Sequence, residues 1–383
     1  MKKICIVTTI SDTMKAFVLD SAKYLHNVGG YDVTLICDRD ENFARELPEY
    51  LHYIPVKIKR GISLSGFSTM RKLRKIFEKE RFDMVQYSTP NASYYASWAA
   101  KKAKIPVRLY CQWGMLYISR KGLVRAAFKH LEKKICNNST YIQPDSFGNL
   151  EFCRREGLYG EKNSGVIWNG SAKGVNLEKF DISKKSEYNA EIRQKYGILE
   201  NDIVIGTVGR LGREKGSNEL IKAFEILKRS YPGAKLMLVG PIEKKNTIEP
   251  RVLKYFLECE DIIKVGWTNE VEKYLSAMNV FVIPSYREGF GLSAIEASAM
   301  AVPVVATEYP GPANVVVNKK TGFRIKIGSV DEIVSAVELI LMNEENSAAM
   351  AQNAYSYAKV AFDERIFLEK YLENRRRILG DVQ

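Results

Sequence analysis

Cysteine and histidine are scarce in this chain, and neither lies in a metal-binding or disulfide pattern. Six cysteines and three histidines occur among 383 residues. The cysteines form no Cys-x-x-Cys pair, and His26, His52 and His130 have no metal-ligand spacing. This usage argues against a disulfide framework, a zinc site, a metal hydrolase and a serine–histidine triad. It is typical of free thiols in a reducing compartment.

Long apolar runs are also absent. No stretch reaches the about 18 consecutive apolar residues that indicate a transmembrane helix. The chain starts with Met-Lys-Lys and a short apolar run at residues 4–7. That run is shorter than the apolar core of a secretory signal, which has about 7–15 residues. We therefore expect a cytoplasmic protein without a transmembrane helix.

Acidic residues are outnumbered by basic ones, and the excess is local. Lys and Arg total 58 against 45 Asp and Glu, a formal charge of +13. Residues 51–80 hold eight basic and two acidic residues, and residues 101–134 hold ten and one. A basic surface favours an anionic partner such as nucleic acid, an acidic membrane or a phosphorylated small molecule. Two such segments in one half of the chain favour a membrane surface; a solvated, lysine-rich face is the alternative.

Strand-like and helical segments alternate along the whole chain. The predicted strands are residues 3–8, 31–37, 82–87, 107–111, 140–144, 203–208, 235–239, 262–265, 280–283, 302–306 and 322–325. Helical segments separate them, the first at residues 14–28, and residues 331–379 are predicted as helix throughout. This alternation predicts two α/β domains, each a doubly wound parallel sheet with helices on both faces. We expect the domains at residues 1–165 and 166–360.

Ligands of open α/β sheets bind at the loops that follow the carboxyl ends of the strands. The loop after the first strand contains Thr9, Ile10 and Ser11 and leads into a helix N-terminus, which can bind an anion. The loop lacks glycine, so it is not a dinucleotide fingerprint. A plain helix cap is the competing interpretation.

The loop at residues 209–216 follows the first strand of the second domain. Gly209 and the later glycines allow the backbone to approach a ligand closely. Arg210 and Lys215 can converge on a diphosphate, the arginine as a fork and the lysine as a point charge. The spacing is not that of a P-loop. A charged surface turn is the alternative.

Two glutamates mark the segment after residues 280–283. Glu288 precedes a helix start, and Glu296 lies within that helix. Carboxylates there can accept hydrogen bonds from sugar hydroxyls. The backbone amides of the helix start can hold phosphate, and the residues concerned are Gly289, Phe290, Gly291 and Leu292. Two unrelated surface acids are the alternative.

Taken together, these motifs resemble the retaining glycosyltransferases of family 4, whose GT-B fold has two facing Rossmann-like domains. The resemblance is specific in residues 203–325 and looser in residues 1–165. It is carried by residues 209–211, 214–216, 284–285, 288–291, 296–297, 299–300, 303–307 and 311. It implies catalytic or donor-binding roles for four residues: Glu288 on the donor sugar, Glu296 on the ribose, and Arg210 with Lys215 on the diphosphate. It also implies that a C-terminal helix, residues 361–383, packs back on the N-terminal domain.

The segment at residues 168–180 is similar to that of bacterial capsule and exopolysaccharide transferases. Such enzymes add one sugar to a lipid-diphosphate-linked oligosaccharide at the cytoplasmic face of the membrane. The resemblance therefore implies a nucleotide-sugar donor with uridine diphosphate as the default base, a lipid-linked saccharide acceptor and an anionic membrane surface, without nucleic acid. It leaves the donor sugar and the linkage open.

The sequence departs from the family at one position near the reacting centre. Many relatives have a His-Gly pair after the fourth strand of the N-terminal domain. Here Trp113 stands at the place of the histidine, and Gln112 is its polar neighbour. A histidine-based role is therefore in doubt. Gln112 could instead orient the acceptor or the donor, and Trp113 could be a packing residue.

We expect transfer with retention, without a metal ion or another cofactor. Cations and oriented backbone amides stabilise the negative charge that develops on the leaving group. These groups are supplied by Arg210, Lys215 and the helix near Gly291. Double displacement needs a carboxylate beside the anomeric carbon. The resemblance places Glu288 on distal hydroxyls, so a front-face path is favoured. The alternatives are a sugar-nucleotide epimerase or hydrolase of the same fold, a phosphorylase and a nucleotide-binding scaffold.

Overall fold

The computed structural model describes residues 1–58, 64–118, 120–243 and 247–381. The chain divides into two compact units. Unit 1 contains Met1–Gly174 together with Arg365–Gln383, and unit 2 contains Val175–Glu364. The first division falls nine residues, and the second four residues, after the domain boundaries expected from the sequence. Lys59 and Arg60, two of the basic residues in the segment 51–80, lie outside the described residues.

Unit 1 is built around a six-stranded parallel sheet. Its strands are β1 (Lys3–Val7), β2 (Asp32–Cys37), β3 (Leu51–Pro55), β4 (Met84–Tyr87), β5 (Val107–Gln112) and β6 (Tyr141–Pro144). They lie in the order β3-β2-β1-β4-β5-β6. The sequence does not predict β3, because exposed His52 and Pro55 interrupt its apolar run at the edge of the sheet.

Seven helices of unit 1 precede residue 174 in the described part of the chain. They are α1 (Ser11–Phe17), α2 (Leu19–Asn27), α3 (Glu41–Glu46), α4 (Leu64–Glu80), α5 (Pro90–Lys102), α6 (Gly122–Asn138) and α7 (Phe147–Arg155). The single helix expected at residues 14–28 is wrong. Val18 leaves helical geometry with φ −123°, so the chain forms α1 and α2 there.

Side chains of β1 alternate between the two faces of the sheet of unit 1, as the two-residue repeat of a strand requires. Ile4 and Ile6 pack in the apolar cluster formed with α1, α2 and α3. Cys5 and Val7 pack in the cluster formed with α4, α5, α6 and α7. Because both faces are covered, the strands are apolar on both sides, which explains why they are recognisable in the sequence.

Unit 2 repeats this architecture with a second parallel sheet. Its strands are β7 (Val204–Val208), β8 (Lys235–Val239), β9 (Ile262–Gly266), β10 (Val280–Ile283), β11 (Val304–Thr307) and β12 (Gly322–Ile325). Their order is β12-β11-β10-β7-β8-β9. The predicted class, two α/β domains that are each a doubly wound parallel sheet, is therefore confirmed.

Helices cover both faces of the sheet of unit 2. They are α8 (Lys185–Tyr196), α9 (Ser217–Ser230), α10 (Pro250–Glu258), α11 (Val271–Ser276), α12 (Leu292–Ala299), α13 (Val330–Leu341) and α14 (Glu344–Phe362). The cluster on one face contains α8, α11, α12 and α14, and that on the other contains α9, α10 and α13. Two interruptions, after Leu341 and at Asp363, correct the expectation of continuous helix at residues 331–379.

The last helix, α15 (Glu364–Leu379), belongs to unit 1 from Arg365 onward. Phe367 and Tyr371 pack in the same apolar cluster as α1, α2 and α3. Arg375 is fully buried and donates to the side-chain oxygens of Gln86 at 2.9 Å and Gln143 at 2.7 Å. The predicted return of the C-terminal helix to the N-terminal domain is confirmed by these contacts.

Across the residues that the structure describes, every helix is too short or too polar to cross a lipid bilayer.

Candidate donor site in unit 2

The carboxyl ends of β7 and β10 lie side by side at the centre of the sheet of unit 2. Ile205 pairs with Val280 and Gly206 with Phe281 in the parallel register. The strand order reverses between these two strands, and ligands of open parallel sheets bind at such a point. The loops after β7 and β10 therefore form the candidate site, as the sequence predicts.

Glycine is required where these loops approach their neighbours. Gly216 has φ +70°, and a Cβ atom there would lie 2.1 Å from the carbonyl oxygen of Pro284 after β10. Gly240, after β8, has φ +138°, and a Cβ atom would lie 2.1 Å from the carbonyl oxygen of Gly209. Side chains at either position would push the backbones apart. The glycines thus hold three loops together at one edge of the sheet.

Charged residues also join the loops after β7 and β10. The Lys215 ammonium forms an ion pair with the Glu288 carboxylate. At the adjacent positions, Arg287 Nη2 lies 2.5 Å from Glu214 Oε2. The Tyr286 amide donates to the Glu214 carbonyl at 2.9 Å. The sequence predicts Lys215 and Glu288 as site residues, but it does not reveal the pairing of Glu214 with Arg287, because no local motif marks it.

The Tyr286 hydroxyl adds a further link between the loop after β10 and α9. It donates to Glu219 Oε1 at 2.9 Å. Burial, with the hydrogen bond to Glu219, raises the pKa of Tyr286 to about 12. The phenol therefore stays protonated and donates its hydrogen bond throughout the neutral range.

A small pocket lies between the two loops and contains both predicted diphosphate ligands. It is lined by Thr207, Val208, Gly209, Arg210, Leu211, Lys215, Ser217, Leu220, Ile283, Ser285 and Ser293. Arg210 is exposed and forms an ion pair with Glu243, which follows β8. Glu243 lies in no recognised motif, so the sequence does not mark it as a neighbour of the site.

The N-terminus of α12 also faces this pocket through Ser293. Its N-cap is Gly291, with φ +100° and no side chain to bond the first amides. Ser285 is 1% exposed, and its hydroxyl has no hydrogen-bond partner within the described part of the chain. Open amides, the positive end of a helix and a free hydroxyl are groups that bind phosphate oxygens. Lys215, Ser285 and the start of α12 thus bring phosphate-binding groups together at one small pocket.

Glu296 lies on α12, one helical turn beyond Ser293. Residues three apart on a helix share a face, so Glu296 lies on the side of α12 that carries Ser293. Its side chain is half-buried. The two glutamates thus hold different positions: Glu288 lies in the loop beside Lys215, and Glu296 lies on the helix.

The remaining predicted donor residues form the backbone of the helix start. The Phe290 ring is buried, and its centroid lies 5.5 Å from that of Phe362 in α14. Leu292 is half-buried as the first residue of α12. The Gly289 carbonyl lies 2.8 Å from the position of a Cβ atom on Gly311. Phe290 therefore fixes the loop to the core of unit 2, and it is absent from the lining of the pocket.

The residues predicted in unit 1 are already engaged within that unit. Thr9 Oγ1 lies 2.7 Å from Thr89 Oγ1. The Ser11 amide donates to Asp38 Oδ1 at 2.8 Å, so the start of α1 is bonded to a carboxylate. Ile10 is the N-cap of α1 and makes no side-chain cap bond. These contacts favour the plain helix cap over the anion site.

Gln112 and Trp113 have different environments. Gln112 is fully buried; its amide donates to Glu132 Oε1 at 2.6 Å and its oxygen accepts from the Tyr159 hydroxyl at 2.9 Å. These bonds engage both ends of the Gln112 amide within unit 1. The half-buried Trp113 packs against Phe17 with ring centroids 5.5 Å apart. Its contacts agree with a packing role.

One Asp-x-Asp triplet, at Asp38 and Asp40, follows a strand of unit 1. The Asp38 carboxylate accepts from the Ser11 amide, and Asp40 caps α3 by accepting from the amides of Asn42 and Phe43, each at 3.0 Å. Hydrogen bonding to these amides lowers the pKa of Asp40. Both carboxylates therefore have backbone partners. Considering only the described residues, no three His, Cys, Asp or Glu side chains are grouped to hold a metal ion.

Comparison with known families gives a match in each half of the chain. The family described as "Glycosyl transferase 4-like" matches residues 3–146. The family described as "Glycosyl transferases group 1" matches residues 189–357. The second match includes the loops after β7 and β10, with Lys215, Glu288 and Glu296.

Several curated relatives match most of the chain. The capsular polysaccharide biosynthesis glycosyltransferase CapM of Staphylococcus aureus is 29% identical over 88% of each chain. The N,N'-diacetylbacillosaminyl-diphospho-undecaprenol alpha-1,3-N-acetylgalactosaminyltransferase of Campylobacter jejuni is 26% identical over 92% of each chain. The UDP-Gal:alpha-D-GlcNAc-diphosphoundecaprenol alpha-1,3-galactosyltransferase of Escherichia coli is 24% identical, over 80% of this chain and 79% of its own.

Solved structures share the fold at low sequence identity. Anabaena HepE in complex with UDP superposes with a TM-score of 0.79 at 17% identity, covering 98% of this chain and all of that one. Sucrose-phosphate synthase of Thermosynechococcus elongatus gives 0.80 at 18% identity over the full length of both chains. At such identities the likeness establishes the arrangement of strands and helices alone.

Proposed function

We propose that this chain, which belongs to the glycosyltransferases and has the GT-B fold, transfers one sugar from a uridine diphosphate sugar to a lipid-diphosphate-linked oligosaccharide. The product would serve capsule or exopolysaccharide assembly. The observation that carries the proposal is the pocket between the loops after β7 and β10. It combines Lys215, an open helix start and an unpaired buried hydroxyl beside the carboxylate of Glu288.

The donor would bind with its diphosphate in this pocket. Lys215, Arg210, the Ser285 hydroxyl and the first amides of α12 would neutralise and bond its phosphate oxygens. When the diphosphate binds, Lys215 must give up part of its contact with Glu288 for contact with the phosphate oxygens. Arg210 must likewise give up part of its contact with Glu243. Both ion pairs are partly exposed to solvent, where such pairs are weak. A dianionic ligand can therefore compete for the two cations.

The two glutamates would divide the donor between them. Glu288, held beside Lys215, would accept hydrogen bonds from hydroxyls of the transferred sugar. Glu296, on the Ser293 side of α12, would accept from the hydroxyls of the ribose. Anabaena HepE is described in complexes with UDP and with UDP-glucose, and the Escherichia coli relative is named for a UDP-galactose donor. These names support uridine diphosphate as the base-bearing part of the donor.

A lipid-linked acceptor is supported by the names of two relatives. The Escherichia coli and Campylobacter jejuni enzymes are each named for a diphospho-undecaprenol acceptor. The Staphylococcus aureus relative is named for capsule biosynthesis. An acceptor of this kind would bring the enzyme to the inner face of the cell membrane as a peripheral protein, with unit 1 binding the acceptor. The basic segments of unit 1 agree with this placement.

The reaction would proceed with retention and without a metal ion. The leaving group carries a growing negative charge in the transition state, and fixed cations and helix amides stabilise such charge. Lys215 and α12 offer both at one place. Glu288 is paired with Lys215 beside the pocket. In this proposal the paired carboxylate binds sugar hydroxyls and does not attack the anomeric carbon. A front-face path, with the leaving phosphate assisting the acceptor hydroxyl, would then give retention.

The decisive experiment measures release of nucleoside diphosphate from a UDP-sugar panel with and without a diphosphate-linked lipid saccharide. We expect nucleoside diphosphate to be released only when the acceptor is present. The anomeric configuration of the new linkage should be the same as that of the donor sugar. Release without acceptor would indicate a hydrolase or an epimerase of the same fold. Nuclear magnetic resonance of the new linkage would distinguish retention from inversion.

A further inference from the structure

Lys185 is a half-buried lysine to which the function proposed above assigns no role. It is the first residue of α8 in unit 2. Its ammonium donates a hydrogen bond to the carbonyl of Ala301 at 2.8 Å. Within the described part of the chain, that carbonyl is the only hydrogen-bond partner of the ammonium, and no carboxylate forms an ion pair with it.

An ammonium in this position has an energetic cost. Burial lowers the pKa of Lys185 to about 8, because solvation is lost and no negative charge replaces it. The start of a helix also carries the positive end of its dipole, so α8 itself does not favour a cation at its first residue. The ammonium form, which donates the hydrogen bond, still predominates at pH 7. The contact with Ala301 is the place where a compensating benefit can arise.

Ala301 lies directly beyond the C-terminal end of α12. The C-cap of this helix is Met300, and the Val302 amide closes its last turn by donating to the Ala297 carbonyl at 3.0 Å. Ala301 has φ +50°, a left-handed conformation that glycine usually adopts after a helix and that strains other residues. Lys185 thus binds the carbonyl of a strained residue at the negative end of α12, where a cation is favourable.

The opposite end of α12 belongs to the candidate donor site. Its N-cap, Gly291, has no side chain to bond the first amides, Ser293 lines the pocket, and Glu296 lies one turn further along. The eight residues of α12 span about 12 Å, and so short a helix moves as a rigid rod. A shift of its C-terminal end is therefore transmitted to the groups that would bind the donor.

We propose that Lys185 is a positioning residue for the donor site, which acts by holding the C-terminal end of α12 through Ala301. The contact fixes the direction of the helix, so that its first turn and Glu296 stay where they would meet the diphosphate and the ribose. The inference rests on the proposed function, because α12 meets a donor only under that proposal. A displacement of about 1 Å can lower turnover by as much as a hundredfold, even when its cause lies far from the chemistry.

The test uses Lys185→Met in the full chain, which keeps a side chain of similar shape but neither the charge nor the donor. Hydrogen–deuterium exchange should become faster in the peptides that cover α12 and stay unchanged elsewhere. Uridine diphosphate affinity should fall roughly three- to tenfold, and turnover of a UDP-sugar roughly tenfold. The midpoint of urea unfolding should not fall, because the variant also removes the cost of burying an ammonium.

Two further variants separate the charge of Lys185 from its size and from its place in the chain. Lys185→Arg keeps a charged donor and should retain more nucleotide affinity than Lys185→Met; equal losses in the two variants would overturn the proposal. Lys184→Met removes the charge of the neighbouring exposed lysine, and it should leave exchange, affinity and turnover unchanged.

The combined results distinguish positioning from a purely structural role. Unchanged exchange in α12 of Lys185→Met, or unchanged affinity and turnover, would overturn the proposal. A lower unfolding midpoint with faster exchange throughout unit 2 would also overturn it, because that result indicates a general loss of stability. If the unchanged chain binds no uridine diphosphate, the proposed function fails, whereas exchange in α12 of Lys185→Met still tests the contact with Ala301.

Discussion

Lys215 and Glu288 form an ion pair that joins the loop after β7 to the loop after β10. Under the proposed function, the cation would bind the diphosphate of the donor and the carboxylate would bind the hydroxyls of its sugar. Beside this pair, Glu214 and Arg287 bind each other at 2.5 Å and join the same two loops. Two ion pairs at adjacent positions therefore set the distance between the groups that would hold the donor.

Substituting Glu288→Gln should separate sugar binding from nucleotide binding. The amide keeps the size and one acceptor oxygen but loses the charge, and it releases Lys215 for the diphosphate. Uridine diphosphate affinity should not fall, whereas turnover should fall roughly tenfold to hundredfold, equivalent to about 1.4–2.7 kcal/mol of transition-state stabilisation. Calorimetry and steady-state rates on the same variant check both. Loss of nucleotide affinity with unchanged turnover would mean that the two glutamates have the opposite roles.

Substituting Glu296→Ala should weaken binding of bare uridine diphosphate. A hydrogen bond to a charged group contributes about 1.5–3 kcal/mol, which corresponds to roughly ten- to hundredfold in affinity. Calorimetric titration of the unchanged chain and the variant measures the loss. Glu258→Ala, at an exposed position in the last turn of α10, is the control and should bind normally. If Glu296→Ala binds as tightly as the control, Glu296 does not contact the ribose.

Exchange of charges between Glu214 and Arg287 tests whether this pair positions Lys215 and Glu288. Each single variant, Glu214→Arg or Arg287→Glu, should lower turnover about tenfold, and the double variant should recover part of it. A coupling of roughly 0.5–3 kcal/mol in the double-mutant cycle is expected for residues in contact. The same exchange in the pair of half-buried Glu225 and exposed Arg251, on α9 and α10, is the control and should leave turnover unchanged. Additive losses at Glu214 and Arg287 would show that the pair does not act as a unit.

Turnover should persist in excess chelator, because protein cations and the start of α12 are proposed to stabilise the leaving diphosphate. The measurement compares initial rates before and after dialysis against the chelator, with and without added magnesium. Complete loss of turnover that magnesium restores would contradict metal independence. It would also direct attention to carboxylates near the pocket, beginning with Glu243.

Much of the fold can be predicted from the sequence because both faces of each sheet are covered. Strands buried on both sides have continuous apolar runs, and β1, β7 and β10 are therefore evident. The edge strand β3 is not, because its exposed residues dilute the pattern. The break between α1 and α2 at Val18 also escapes prediction, since neither glycine nor proline marks it.

The candidate site also has residues that the sequence identifies and contacts that it does not reveal. Lys215 and Glu288 lie in local motifs, so the sequence identifies both. Pairings that depend on the tertiary structure, such as Arg210 with Glu243, cannot be read from spacing along the chain. Gln112 is a different case: its place beside a predicted loop suggests a site, the fold buries it against Glu132, and its role stays a prediction.

The buried Glu132 provides the last prediction, which concerns stability. Its Oε1 accepts from the Tyr110 hydroxyl at 2.8 Å and from Gln112 at 2.6 Å. Burial raises the pKa of Glu132, although both hydrogen bonds act to lower it. The folded chain therefore holds this proton at pH values where the unfolded chain, with a pKa of about 4.3, has released it. By proton linkage, the free energy of unfolding must fall as pH rises from that value through the raised pKa.

The variant Glu132→Gln keeps the acceptor oxygen and removes the titration, so its stability should lack this component of the pH dependence. Urea unfolding of both proteins between about pH 4 and pH 8 measures the difference. The free energy of unfolding of the unchanged chain, minus that of the variant, should decrease as pH rises. Glu258→Gln, at the exposed end of α10, is the matched control and should follow the unchanged chain at every pH. A constant difference between Glu132→Gln and the unchanged chain would show that the Glu132 carboxyl group has the same pKa in the folded and the unfolded state.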